Sequence, residues 1–219
     1  ASAFYNCDKI TNVTIPGSVN TIGDYAFDDC SAITTLVVKD GVGTIGSYIL
    51  NKCVAVESVT LPFIGDTLEN TNKSDSNYQL AARLFYNGVE GKTYYTGNYY
   101  VPYTLKKITI TGGTRIPANA FKDLSEVTEI IIPNNVTSIG NSAFYRCTSM
   151  TTRNLTNKLT SIGSSAFYNC NAAKFNDIVF PSTLTYIGAS AFYNCDKITN
   201  VTIPGSVNTI GDHAFDDCS

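Results

Sequence analysis

The first 31 residues of the chain, Ala1–Ser31, return at Ala189–Ser219 with one change, Tyr25 to His213. Inside that block runs a shorter period, Ile10-x-x-Val13-x-Ile15-Pro16-x-x-Val19-x-x-Ile22-Gly23-x-x-Ala26-Phe27-x-x-Cys30, which begins again at Ile33. A fixed period of roughly 20–50 residues means a solenoid, in which no unit has a core of its own and each buries its apolar edge against its neighbours. Aligning the Ala-Phe and cysteine columns gives eight coils, with strands expected near 13–15, 36–38, 59–61, 108–110, 130–132, 153–155, 178–180 and 201–203. Most steps are 23 residues long, and the step from Cys170 to Cys195 is 25.

The alternation Val13-Thr14-Ile15 has the two-residue period of a strand with one buried face. Proline follows in Ile15-Pro16, Leu61-Pro62, Ile132-Pro133, Phe180-Pro181 and Ile203-Pro204; having no N–H to give a ladder, it ends pairing there. Each coil thus supplies one short strand to a parallel sheet of about eight strands, and parallel crossovers are right-handed. The recurrent Ile22-Gly23, Ile45-Gly46, Ile139-Gly140, Ile162-Gly163, Ile187-Gly188 and Ile210-Gly211 mark a second inward residue and a bend that glycine makes easy, with a second short strand or bridge there. The run from Ala26-Phe27 to Cys30 is too short for a stable α-helix and reads as one helical or 3-10 turn. Residues 1–219 form a single solenoid domain on this reading.

Between Cys53 and Leu124 the period is stretched rather than lost. Leu80 stands five residues before Phe85, as Ile22 does before Phe27, so Leu84-Phe85 fills the Ala-Phe column and residues 54–124 hold irregular coils of 35 and 36 residues. The first excess, Phe63–Gln79, is mostly polar and predicts a solvated loop, with Asn72 as its glycosylation sequon. The second, Gly88–Thr104, carries Tyr94, Tyr95, Tyr99, Tyr100 and Tyr103 among glycines. Two readings stay open there: exposed rings that anchor an interface or stack on sugar, or rings that fold back over the gap left by irregular coils.

Fifteen basic and 18 acidic residues are scattered without long runs, and the net charge of −3 offers a polyanion little to hold, so nucleic acid is not an expected partner. No apolar run approaches the ~20 residues of a membrane span, so membrane insertion is not expected either. Both ends fall inside a repeat. The expectation is one 188-residue unit plus overlap from a longer array whose signal and anchor lie elsewhere, with end-to-end self-association through uncapped coils.

The coils resemble the BspA-like leucine-rich repeat family, as Val201-Thr202-Ile203-Pro204, Val207-Asn208-Thr209-Ile210-Gly211 and Ala214-Phe215-Asp216-Asp217-Cys218 illustrate. The stretched region is also similar to a variant in such proteins, with Leu61–Gly65, an excursion, and then Leu105–Gly113. The resemblance implies a leucine-rich repeat solenoid, secreted or displayed at the cell surface, that adheres to host matrix proteins or other cells. Coil six departs from the pattern, with Arg153 at an inward position and Thr156 in place of proline.

The seven cysteines, Cys7, Cys30, Cys53, Cys147, Cys170, Cys195 and Cys218, share one column, in which Leu124 also stands. Leucine can replace a thiol that only packs, but not a metal ligand or a bridge partner, so reduced, buried cysteines are expected. Only an S–S separation near 2.05 Å would say otherwise. His213 answers to Tyr25, Tyr48, Ser142, Ser165 and Ser190 and reads as a surface residue; the acidic groups Asp24, Asp28, Asp29, Asp212, Asp216 and Asp217 read as solvated turns rather than a calcium loop. No phosphate loop, zinc-binding helix or nucleophile elbow is present in the sequence. Neither an enzymatic activity nor a cofactor is expected.

What remains is surface. Outward strand positions form two columns, one through Lys107 and Glu129 and the other through Thr14, Thr60, Thr109 and Ile131, a flat and nearly neutral face. With the tyrosine excursion, this face is the candidate for binding a macromolecular partner, presumed by resemblance to be protein; the competing role is a spacer that presents a module elsewhere.

Overall fold

The computed structural model describes residues 1–73, 78–152, 155–172 and 177–218. Strands Asn12–Ile15, Thr35–Val38, Ser58–Leu61, Lys107–Ile110 and Glu129–Ile131 form one five-stranded parallel sheet, and Asp177–Val179 pairs in parallel with Asn200–Thr202. All overlap their expected positions; the strand expected at 153–155, with Arg153 and Asn154, falls largely outside the described residues. Val13, Leu36, Val59, Ile108 and Ile130 occupy successive rungs in one register. The chain is a parallel-strand solenoid of about eight turns with very little helix.

A second row lies at the Ile-Gly positions. Thr21–Ile22 pairs with Thr44–Ile45, and Arg115–Ile116, Ser138–Ile139, Ser161–Ile162, Tyr186–Ile187 and Thr209–Ile210 form a second five-stranded run. Between them the first extended coil interrupts the row, and the Ile45 N–H donates to the Asp66 carbonyl instead, at 2.9 Å. Leu80 does not join this row as its spacing predicts; it opens a helix, Leu80–Leu84, whose Leu84 carbonyl accepts from the Leu50 N–H at 2.8 Å. Leu84-Phe85 therefore does stand in the Ala-Phe column.

The glycine of the Ile-Gly pair is needed for a reason other than bending. Its φ is not left-handed; instead, a Cβ on Gly188 would sit 2.4 Å from the Ser164 nitrogen, and one on Gly163 2.6 Å from the Asn141 nitrogen. At this corner the backbones of adjacent coils lie in contact, and only glycine fits between them.

Outside the coil that carries Leu80–Leu84, the third corner holds neither an α-helix nor a 3-10 helix. It is a chain of hydrogen-bonded turns in which two residues per coil are left-handed: Ser2, Tyr25, Tyr48, Asn119, Ser142, Ser165, Ser190 and His213 in one column, and Asn6, Asp29, Lys52, Asp123, Arg146, Asn169, Asn194 and Asp217 in the other, all with φ between 51° and 61°. Left-handed residues stop helix propagation. They also turn alternate N–H groups outward along the array, so that Phe27 donates to Ile49 at 2.9 Å, Phe144 to Ala166 at 2.8 Å and Phe167 to Ala191 at 2.7 Å. Three inter-coil ladders thus satisfy the backbone around the coil.

Inside the turn corner, Phe121, Phe144, Phe167, Phe192 and Phe215 stack with centroids 5.0, 4.9, 5.1 and 5.2 Å apart. Beside them six of the seven cysteine thiols donate to the carbonyl of the phenylalanine one coil earlier: Cys30 to Phe4, Cys53 to Phe27, Cys147 to Phe121, Cys170 to Phe144, Cys195 to Phe167 and Cys218 to Phe192, at 2.8 to 3.1 Å. All seven cysteines are free. Leu124 fills the same column without a thiol to donate.

The part of the first excursion from residue 63 to 73 is more ordered than a solvated loop. Thr67 caps a single helical turn, Leu68–Thr71, by accepting from the Asn70 N–H at 3.1 Å. The buried Thr71 hydroxyl accepts from the Gly65 N–H at 2.8 Å, and the Asn72 side-chain carbonyl accepts from the Thr114 N–H at 2.8 Å. Asn72 thereby links two coils through its side-chain carbonyl.

Two substitutions test the corner assignments by urea unfolding. Gly188→Ala lowers stability by about 1–3 kcal/mol, because the methyl group meets backbone. At Ser165, valine lowers stability by about 1–2 kcal/mol while glycine leaves it unchanged or raises it, because a β-branched residue resists the left-handed conformation.

Candidate binding surface

The second excursion is a β-hairpin, Thr93–Tyr95 antiparallel to Tyr100–Pro102, with Tyr95 opposite Tyr100. Its turn closes through the Thr96 N–H donating to the Tyr99 carbonyl at 2.8 Å and places Gly97 at φ 89°, a conformation glycine adopts without strain. Its tyrosines divide between packing and exposure. Tyr94 and Tyr99 pack against the core, and burial raises the affinity of both hydroxyls for their protons. Tyr95, Tyr100 and Tyr103 are exposed, Tyr95 by 59%. The Tyr95 ring lies 5.0 Å from Tyr100, and its hydroxyl donates to the Gly97 carbonyl. Tyr94 meets Tyr103 at 5.4 Å.

The hairpin continues an aromatic line along the turn corner. Tyr25 contacts Tyr48 at 5.3 Å, and Tyr48 contacts Tyr86 at 4.9 Å and Tyr99 at 6.4 Å. On coils six to eight Tyr145, Tyr168 and Tyr193 form a second stack with spacings of 4.9 and 4.8 Å, and Lys122 and Arg146 each lie 5.6 Å from the Tyr145 ring centre. Between the hairpin tip and the turn corner runs an open groove of about 340 Å³, with Tyr95 on one side and Asp123, Ser125, Arg146, Thr148 and Asn169 on the other. The residues opposite Tyr95 escape a reading of the sequence because they lie in variable turn columns. For Asp123, Arg146 and Asn169 the signal is the left-handed column itself.

On the strand side, register places Thr14, Val37, Thr60, Thr109 and Ile131 in one outward column and Lys107 beside Glu129 in the other. Lys107 and Glu129 pair at 2.9 Å, so this face presents an already matched charge pair. Thr60 and Thr109 are half-buried; Thr14 and Ile131 are exposed. A smaller groove of about 260 Å³ opens beside coil six, next to Ile131 and Leu155. There Thr156, where five of the coils have proline, is buried with its hydroxyl on the Val136 carbonyl.

The acidic turns are linkers between coils. Asp24 accepts from the Ser47 N–H at 2.7 Å and Asp28 from the Asn51 amide at 2.7 Å, while exposed His213 pairs with Asp216 and has its pKa raised by that carboxylate. Asn141, in the column of Asp24, accepts from the Ser164 N–H at 2.9 Å, so the neutral amide does the same work.

A family model described as a BspA type leucine-rich repeat region matches residues 1–87 and 95–219 in six copies. The chain belongs to the BspA-type leucine-rich repeat family. Repeats of this family commonly serve as protein-interaction modules and are generally without catalytic activity. Three solved structures are similar to this leucine-rich repeat. A leucine-rich cell surface protein from Faecalibacterium prausnitzii is 21% identical, with 100% of this chain and 60% of that one covered and a TM-score of 0.48. A T. pallidum leucine-rich repeat protein is 16% identical, covering 94% and 65%, with a TM-score of 0.42. The pneumococcal vaccine antigen PcpA is 16% identical, covering 96% and 55%, with a TM-score of 0.45. The chain spans between 55% and 65% of the length of these three proteins. No curated protein gives a significant match. Among the described residues no helix is long and apolar enough to cross a membrane.

The thiol column gives one test and the hairpin another. Burial raises the pKa of the Cys30, Cys53, Cys147, Cys170, Cys195 and Cys218 thiols, that of Cys195 to about 12. Their contribution to stability is present below the ordinary thiol range and is lost as pH rises through the folded value. Iodoacetamide at about pH 8 therefore leaves Cys30, Cys53, Cys147, Cys170 and Cys195 unmodified in the folded chain and labels all seven cysteines in urea, as mass spectrometry reads directly. In the hairpin, Tyr94→Ala lowers the melting temperature, at a cost of about 1–3 kcal/mol for a partly buried aromatic ring, whereas Tyr95→Ser leaves it within a degree or two.

Proposed function

We propose that this leucine-rich repeat is a non-catalytic recognition segment of an extracellular or cell-surface protein, and that it binds a macromolecular partner, a host matrix or cell-surface protein, through the hairpin and the adjoining turn corner. The observation that carries the reading is the division of labour within the hairpin: Tyr94 and Tyr99 pack it onto the solenoid, leaving Tyr95, Tyr100 and Tyr103 exposed, with Tyr95 lining a groove. Exposed aromatic rings on a rigid support are the side chains that supply most energy at protein interfaces. The strand face is the weaker candidate, since Lys107 and Glu129 satisfy one another and its remaining outward residues are small. The family's interaction role supports the class of function.

The test is saturable binding of the folded chain to immobilised matrix proteins and to intact cells, compared with the Tyr95→Ser, Tyr100→Ser, Tyr103→Ser triple variant. Loss of binding with an unchanged melting temperature supports recognition by the hairpin. Binding that survives the triple variant but falls when Thr60, Thr109 and Ile131 are replaced by lysine moves the site to the strand face. A chain that saturates on no surface is a spacer.

A further inference from the structure

Resting on the reading of the hairpin as the recognition element, we infer that the groove at its tip is a site for a neutral pyranose unit of an oligosaccharide. The wall is a pre-set aromatic platform. Tyr95 is held from two sides, its hydroxyl on the Gly97 carbonyl and its ring against Tyr100 at 5.0 Å, yet remains 59% exposed. A ring immobilised before binding loses little entropy when the C–H face of a sugar lies against it.

The opposite side supplies polar groups in a fixed grid. Asp123, Arg146 and Asn169 are the same residue of three successive coils, with φ of 60°, 56° and 58°, and Ser125 and Thr148 form a parallel column. The Thr148 hydroxyl donates to the Ser125 carbonyl at 3.3 Å, joining the two coils beneath the groove. Coils stack about 4.8 Å apart, so a carboxylate acceptor, a guanidinium donor and an amide that does both are presented in a row. Sugar hydroxyls, which donate and accept at once, are the chemistry that such a row satisfies.

Charge selects among sugars. Arg146 and Asp123 balance one another across adjacent coils, so a sulfated or sialylated unit that drew on Arg146 would bring its own charge towards the Asp123 carboxylate. Partial burial of that carboxylate, which raises its pKa, is consistent with an acceptor waiting for a hydroxyl. The groove volume of about 340 Å³ lies at the low end of small-ligand sites, room for one or two rings rather than a folded peptide segment.

The test is titration of the isotope-labelled chain with neutral di- to tetrasaccharides of gluco, galacto, manno and N-acetylglucosamine type, with sialyllactose and a sulfated disaccharide as further arms, followed by amide shifts. At least one neutral sugar gives saturable shifts at Gly97, Ser125, Thr148 and Asn169. Tyr95→Ser weakens that binding by about tenfold or more, equivalent to about 1.4 kcal/mol, and Tyr95→Phe keeps most of it. Asp123→Asn weakens it with the melting temperature unchanged. The inference is overturned if no neutral sugar shifts these amides, if only the charged sugars do, or if Tyr95→Ser binds like the parent. Enzymatically deglycosylated matrix protein separates the two proposals: if it is bound as well as the untreated protein, the hairpin's role in protein recognition stands and the sugar site falls.

Discussion

Coil-on-coil registration is the constraint on which the structure depends. Val13, Leu36, Val59, Ile108 and Ile130 share rungs because each coil returns the backbone to the same three corners, where N–H groups pair with the neighbouring coil. Once the corners are fixed, identical side chains must lie over one another. Phenylalanines then stack, and thiols reach the same carbonyl of the coil before. A residue type is admitted in a column only if it tolerates its own copy about 4.8 Å away.

This constraint explains what the sequence makes legible. Strand positions, the Ala-Phe column and the buried cysteines are inward or edge positions under identical demands in every coil, so repetition exposes them. Three features stay hidden for physical reasons. The Ile-Gly glycine looks like a bend, but its need arises from the backbone of another coil, as at Gly188 over Ser164. The left-handed columns accept Ser, Tyr, Asn, Asp, Lys, Arg and His alike, and such variety conceals a strict backbone requirement. The excursions depend on contacts to distant coils, such as Asn72 with Thr114, which no local pattern encodes.

The candidate site was half legible. Five tyrosines among glycines announce an unusual surface, but only the hairpin geometry separates the anchors Tyr94 and Tyr99 from the presented Tyr95, Tyr100 and Tyr103. The groove facing Tyr95 is built where two departures from regularity coincide, an inserted hairpin and turn columns that happen to be polar on coils five to seven. In a fold that otherwise repeats itself, specificity has to be written where repetition fails.

The thiol bonds also give the array a direction. The six cysteines from Cys30 to Cys218 donate towards the coil before and none towards the coil after, as the strands of the solenoid's own sheets all run one way. A block that carries this polarity whole, as Ala1–Ser31 and its copy at Ala189–Ser219 do, can be joined to another without a bespoke junction, because the seam has the chemistry of every other step. Recombination between such copies would change how far the rod reaches while leaving its cross-section untouched, so that length becomes a heritable variable separate from shape.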